Sequence, residues 1–268
     1  FMLGLMVKPQ MLIMGPVMLF AFIKDIIKGD TQKELIILLR CIATVVVVAA
    51  VIIVPFSVKQ TDVLWLPKLM FNTTTQYPYA SINAYNFYAL LGANWLDDTQ
   101  NGIAGISYYT IGNAAIVLVS ALTAYHIFKS KERQAIFSGG LFMIWGIFMF
   151  AHSMHERYLY PVIALAFMCY ILFKDKRYLM LMGAGSAVLL VNSVMALNEL
   201  HLMGFIPKVI IVSAASLLTF MLCAYITFTR APMPEPEGKA LPEGDVSEPP
   251  EPHKGMPAFI RIADRRGE

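Results

Sequence analysis

The chain has 268 residues, 57% of them apolar and only 15% charged, with a formal net charge of +3. Soluble globular domains carry about 25% charged residues, so this composition, with a mean hydropathy of +0.62, excludes an ordinary soluble domain and points to the membrane class. Charge this sparse leaves no basic patch suited to a nucleic acid, and none is expected as a partner.

A spanning helix needs about 20 mostly apolar residues. The first window is roughly Met2–Ile23. The chain opens inside it with neither a charged leader nor a small-residue cleavage site, so it reads as the C-terminal part of a longer protein rather than as a signal peptide. Within this window stands Lys8-Pro9-Gln10. A lysine and a glutamine at that depth are costly unless paired or near water, and proline kinks the helix and frees a carbonyl. Lys8 is therefore either a ligand for an anionic group or a lysine snorkelling to the surface. The second window is Leu35–Phe56.

Residues 57–105 form the one long loop of the membrane body. Loops longer than about 15 residues are usually functional or disordered, and this one is too aromatic for disorder. It is expected to form one or two short interfacial helices, with Trp65, Tyr77, Tyr79, Tyr85, Tyr88 and Trp95 at headgroup depth. An aromatic belt accounts for many of these rings. It does not account for the amides Asn72, Gln76, Asn83, Asn86 and Asn94, which suit either sugar hydroxyls or helix caps. Asn72-Thr73-Thr74 also fits a glycosylation sequon.

Five further windows follow: Ile106–Phe128, Ala135–Ala151, Tyr158–Phe173, Tyr178–Leu197 and Ile206–Phe228. The fourth and fifth of the seven are short, and they flank His152-Ser-Met-His-Glu-Arg157. If that segment is helical, His152 and Glu156 share a face, and Pro161 fits the first turn of the next helix. Glu156 and Arg157 form either a functional pair or an ordinary interfacial one. The order His-x-x-His-Glu is not that of a zinc peptidase, and no metal site is expected. Cys41, Cys169 and Cys223 lie in apolar runs and read as packing residues. Asn113, Ser186 and Asn192 are the few polar residues inside windows and read as helix–helix hydrogen-bonding groups.

Lys24, Lys28 and Lys33, then Lys129, Lys131 and Arg133, then Lys174, Lys176 and Arg177, and finally Arg230 all follow odd-numbered windows. They fall on one side, which the positive-inside rule makes cytoplasmic. The long loop and the His152–Arg157 segment then lie outside. Residues 231–268 are Pro- and Glu-rich, with eight acidic and five basic residues, and are expected to be a disordered cytoplasmic tail.

At these residues the chain resembles a known family. His155-Glu-Arg-Tyr-Leu-Tyr-Pro161 is similar to the His-Glu-Arg-Tyr signature of bacterial multi-spanning glycosyltransferases of the GT-C superfamily, related to the mannosyltransferases of glycosylphosphatidylinositol synthesis. Lys8-Pro-Gln10 resembles their Lys-Pro-Gln segment. Asn83-Ala-Tyr-Asn86 with Leu90-Leu-Gly92 resembles their Asn-x-x-Asn…Gly loop. The resemblance covers residues 1–228 and implies inverting transfer of a sugar, mannose or another hexose, from a polyprenyl-phosphate donor to an extracytoplasmic glycan, lipid or protein acceptor. Family members carry an acidic residue in an earlier outer loop, which Glu156, Asp97 and Asp98 do not match.

The expectation is thus an all-α, polytopic, GT-C-like transmembrane bundle of about seven spans over residues 1–230, in a bacterial plasma membrane. Arg157, His155 and Glu156 are the candidate catalytic residues. Lys8 and Arg157 would bind the donor phosphate, and Gln10, Asn83, Tyr85 and Asn86 the sugar. No cofactor is required, although a divalent cation would assist on the phosphate. A transporter or flippase for a lipid-linked sugar, or a non-catalytic membrane subunit, is the alternative; a transporter should show polar or broken helices at mid-membrane and internal repeats.

Overall fold

The structure is a computed structural model that describes residues 9–29, 31–62, 64–74, 76–199 and 206–230. Lys8, the side chain of Gln10, residues 200–205 and the tail lie outside the described residues. The chain divides into a unit Phe1–Pro232 and a unit Met233–Glu268, the second also outside them.

The described part is mostly helical. Among the described residues, five helical segments are long and apolar enough to cross a membrane: Thr31–Ser57, Tyr108–Lys129, Glu156–Phe173, Arg177–Leu197 and Lys208–Thr229. The described parts of the other two windows are shorter. The first appears as a 3-10 turn, Pro9–Met14, followed by α1, Gly15–Lys28, with Pro16 in its first turn. The fourth is a 16-residue helix, Ala135–Phe150, which at about 1.5 Å per residue spans roughly 24 Å against a hydrocarbon core of about 30 Å. The fifth window gains length because a 3-10 turn, Glu156–Leu159, runs directly into the helix Tyr160–Phe173, where Pro161 takes a first-turn position.

We number the helices α2 (Thr31–Ser57), α3 (Trp65–Thr74), α4 (Phe87–Leu90), α5 (Tyr108–Lys129), α6 (Ala135–Phe150), α7 (Tyr160–Phe173), α8 (Arg177–Glu199) and α9 (Ile206–Thr229). Helix α6 is apolar on every side, so it sits at the centre of the bundle. Nearly all of it is buried, and it packs on α5, α7 and α9. Gly146 lets α5 approach: a Cβ there would meet Val119 Cγ1 at 2.8 Å. Helix α2, by contrast, buries none of its residues within the chain. Its exposed Val and Leu side chains suit contact with lipid.

The basic loops meet at one end of the bundle. Lys24 Nζ donates to the Ser130 carbonyl at 2.9 Å, and Lys28 Nζ to that of Phe128 at 3.2 Å. Arg133 pairs with Asp25 at 3.0 Å. Arg230 pairs with Glu132 and lies over the Phe173 ring at 3.9 Å. The opposite end carries residues 76–107. The long outer loop thus forms α3 ahead of this segment and α4 within it, as expected of a stretch with its own apolar runs, but its rings do not all lie at a surface. Tyr85 and Tyr88 are fully buried, and the Tyr88 hydroxyl donates to the Phe150 carbonyl at 2.7 Å. Desolvation accordingly raises the Tyr88 pKa. The loop is a folded cap on the helix ends rather than a belt.

Candidate functional site

Two segments far apart in sequence make the cap. Strand β1, Ser81–Ile82, pairs in parallel with β2, Met154–His155, in the register Ser81 to Met154 and Ile82 to His155. Asn83 continues the contact with His155 through an isolated bridge. The Ser153 amide donates to the Tyr79 carbonyl at 2.8 Å. The segment 152–155 is therefore a bend leading into a strand, not a helix, and His152 and Glu156 do not share a helix face. Ser153, at φ 57°, breaks any helix there.

The candidate amides separate by role. Asn86 is fully buried. Its Oδ1 caps α4 by accepting from the Tyr88 and Ala89 amides, and its Nδ2 donates to the Phe148 carbonyl at 3.1 Å. Tyr85 lies fully buried among Ala89 and Val212. Neither side chain faces solvent, so both hold the cap together. Asn83 is half-buried. Its Oδ1 accepts from Asn94 Nδ2 at 2.9 Å and Trp95 Nε1 at 2.8 Å, and its amide donates to Asn94 Oδ1 at 2.8 Å. Asn192 of α8 donates to the Asn83 carbonyl at 2.6 Å. Asn192 thus ties the cap to the bundle rather than joining two helices, and Asn113 donates within its own helix, to Tyr109. Backbone strain gathers here: Asn83, Tyr85 and Trp95 have φ of 53°, 29° and 61°. Such conformations cost about 1–3 kcal/mol each and cluster at functional sites.

His155 is buried, with edge-on contacts to the Tyr77 and Tyr158 rings at 5.1 and 5.2 Å. Burial, and then the nearby Arg157 guanidinium, lower its pKa to about 4. At neutral pH it is an uncharged imidazole, a hydrogen-bonding group rather than a second cation. Arg157 is exposed. Its Nη1 lies 3.5 Å from Glu156 Oε1, a long contact that leaves the fork available, and its guanidinium stands 5.7 Å from the Tyr158 ring centroid.

Arg157 and Tyr158 open onto a cavity of about 190 Å³. Its other walls are apolar: Met11, Ile13 and Met14 from the first segment, Ile144 of α6, and Tyr160 with Pro161 at the start of α7. Met11 follows Lys8-Pro-Gln10 directly in the chain, so the first segment and the His155–Pro161 segment meet here. The structure therefore brings the Arg157 segment together with the wall that follows Lys8. It brings Asn83 to His155, and it sets Tyr85 and Asn86 into the scaffold.

Sequence reasoning missed one pair. Asp98, buried at 4% exposure, holds His152 through Oδ2 to Nδ1 at 2.8 Å. Nδ1 also lies 3.0 Å from Ser153 Oγ, and the Tyr109 ring packs at 4.9 Å. Burial lowers the His152 pKa, with Asp98 opposing. No spacing signal joins residues so distant in sequence; the only hint was a second acid beside Asp97. Among the described residues no group of three or more His, Cys, Asp or Glu could hold a metal ion.

Comparison with protein-family models, curated proteins and solved structures returned no match.

Proposed function

We propose that this chain is the donor-binding part of a membrane glycosyltransferase that moves mannose or another hexose from a polyprenyl-phosphate donor to an extracytoplasmic acceptor. The observation that carries the reading is the apolar cavity with Arg157 at its rim. A polyprenyl phosphate is a long hydrocarbon ending in an anion, and it needs both surfaces side by side. The family resemblance at Lys8-Pro-Gln10, Asn83–Asn86 and His155–Pro161 supports the same donor.

In the proposed reaction an acceptor hydroxyl oxygen attacks the anomeric carbon. The bond from that carbon to the phosphate oxygen breaks, and its electron pair leaves on the lipid phosphate. Arg157 and Lys8 offset the charge that develops there, the kind of stabilisation that lowers a barrier most. Arginine suits the phosphate because its planar fork donates two parallel hydrogen bonds. Neutral His155 hydrogen-bonds phosphate or sugar, and Glu156 orients Arg157. Asn83 and Gln10 read sugar hydroxyls, while Tyr85 and Asn86 hold the cap that presents Asn83. The acceptor's proton passes to a carboxylate, which the resemblance puts in an earlier outer loop.

The test is sugar release from a polyprenyl-phosphate donor by the full-length protein. Arg157→Lys keeps charge and loses the fork, so activity falls with normal folding. Arg157→Ala falls by about 100-fold or more, as expected for a lost transition-state interaction of roughly 3 kcal/mol. Wild-type rates in a well-folded Arg157→Ala protein overturn the reading and favour a flippase or a non-catalytic subunit.

A further inference from the structure

The basic end of the bundle holds a second cavity, of about 250 Å³. Four cations line it, Lys24, Lys28, Lys131 and Arg133, against two carboxylates, Asp25 and Glu34. Part of this charge is used within the fold. Lys24 and Lys28 each donate to a carbonyl at the end of α5, at 2.9 and 3.2 Å, which caps that helix favourably. An ammonium has three donors, so capping does not exhaust either lysine. Asp25 is matched by Arg133 at 3.0 Å. Three lysines then face Glu34 as the remaining lining carboxylate, and the cavity is net cationic. The N-terminus of α2, beginning at Thr31 close to the Gly29 and Glu34 wall, adds the positive end of a 27-residue helix dipole.

The surroundings of the cavity are apolar in the way acyl chains require. Ala21 and Ile136 contribute half-buried apolar wall. The first turns of α2 carry Leu35, Ile36 and Leu39 at 47, 48 and 56% exposure, and no residue of α2 is fully buried by the rest of the chain. A cationic recess at the end of spanning helices, bordered by lipid-facing side chains, matches the way membrane proteins hold anionic head groups. A free anion would use the charge and leave the apolar border without a purpose.

We propose that this cavity binds the phosphodiester headgroup of an anionic glycerophospholipid, with its acyl chains lying along α2. A zwitterionic headgroup carries its own ammonium into a lysine-rich recess and is disfavoured. The site lies at the bundle end opposite the cap and does not rest on the glycosyltransferase reading.

The test titrates the intact purified protein in detergent with phosphatidylglycerol and with phosphatidylcholine, and reads bound lipid by native mass spectrometry. Phosphatidylglycerol should be retained about tenfold or more over phosphatidylcholine, and Lys28→Gln with Lys131→Gln should bring it down to the phosphatidylcholine level. Lys131→Gln alone, which leaves both carbonyl caps in place, should give an intermediate loss with an unchanged Tm and so separates binding from folding. Lys59→Gln, at the far end of α2, should change nothing. Equal retention of the two lipids, or an undiminished preference in the folded Lys131 and double variants, overturns the proposal. So does inorganic phosphate displacing phosphatidylglycerol at equal concentration, which would make this a free-phosphate site.

Discussion

At the scale of single residues, burial sorts the candidates that chemistry alone left equal. Asn83 and Asn86 look alike in sequence, and both suit a sugar or a cap. Both are hydrogen-bonded inside the cap, but Asn86 is fully buried, whereas Asn83 stays half-buried beside His155. The same distinction governs His155, whose sequence shows an imidazole and whose environment shows a neutral one. Its folded pKa of about 4 lies below the ordinary 6.5, so the folded state binds fewer protons than the unfolded state. The stability this contributes is fully present above about pH 6.5 and is lost as pH falls toward 4. Burial pushes His152 in the same direction, with Asp98 opposing. We expect amides of 79–83 and 153–155 to lose hydrogen-exchange protection between pH 6.5 and 4, after correction for intrinsic rates. The lysine-rich end should change less. His155→Phe keeps a ring between Tyr77 and Tyr158 without a titrating group and should flatten the profile. An unchanged profile in that variant would assign the effect to His152.

At the scale of elements, apolar window length was legible and the connections were not. The windows near Thr31–Ser57, Tyr108–Lys129 and Lys208–Thr229 are spanning-length helices because nothing interrupts their apolar runs. The His152–Arg157 segment misled because its spacing suits a helix, while its backbone pairs with β1 from a loop far away in sequence. Periodicity reports local preference and carries no information about a distant partner. The close fit of α5 to this segment offers a test. A Cβ at Gly112 would meet the His152 Cδ2 and backbone N at 2.7 Å each. The backbone atom cannot swing aside, so Gly112→Ala should cost about 1–3 kcal/mol and lower Tm by several degrees. It should also reduce any transfer activity, because it displaces the strand that carries His155. Gly183→Ala in α8 meets nothing within 4 Å and should be neutral or slightly stabilising, since alanine favours a helix over glycine. Equal effects from the two substitutions would show that the α5 contact does not position the segment.

At the scale of the whole molecule, charge placement was the most informative part of the sequence. The basic residues after alternate windows lie together at one end, joined by Lys24 to Ser130, Arg133 to Asp25 and Arg230 to Glu132. That grouping follows from charge counts that made no use of packing. The cavity at Arg157 was not legible in this way, because its wall needs Met11 and Pro161 side by side and they lie far apart in the sequence. The packing alone does not set which end faces the cytoplasm; the positive-inside rule does. Lys131→Cys and Lys176→Cys should therefore react with a membrane-impermeant thiol reagent only in inverted vesicles. Gln100→Cys, exposed in the cap, should react only in right-side-out vesicles. The native cysteines set the background, and it should be low: Cys169 and Cys223 are buried, and Cys41 lies on α2 among lipid-facing side chains. Labelling of position 131 from outside would invert the orientation. It would place Arg157 and the cap on the cytoplasmic side, where nucleotide sugars are at hand, and so remove the reason for a polyprenyl-phosphate donor.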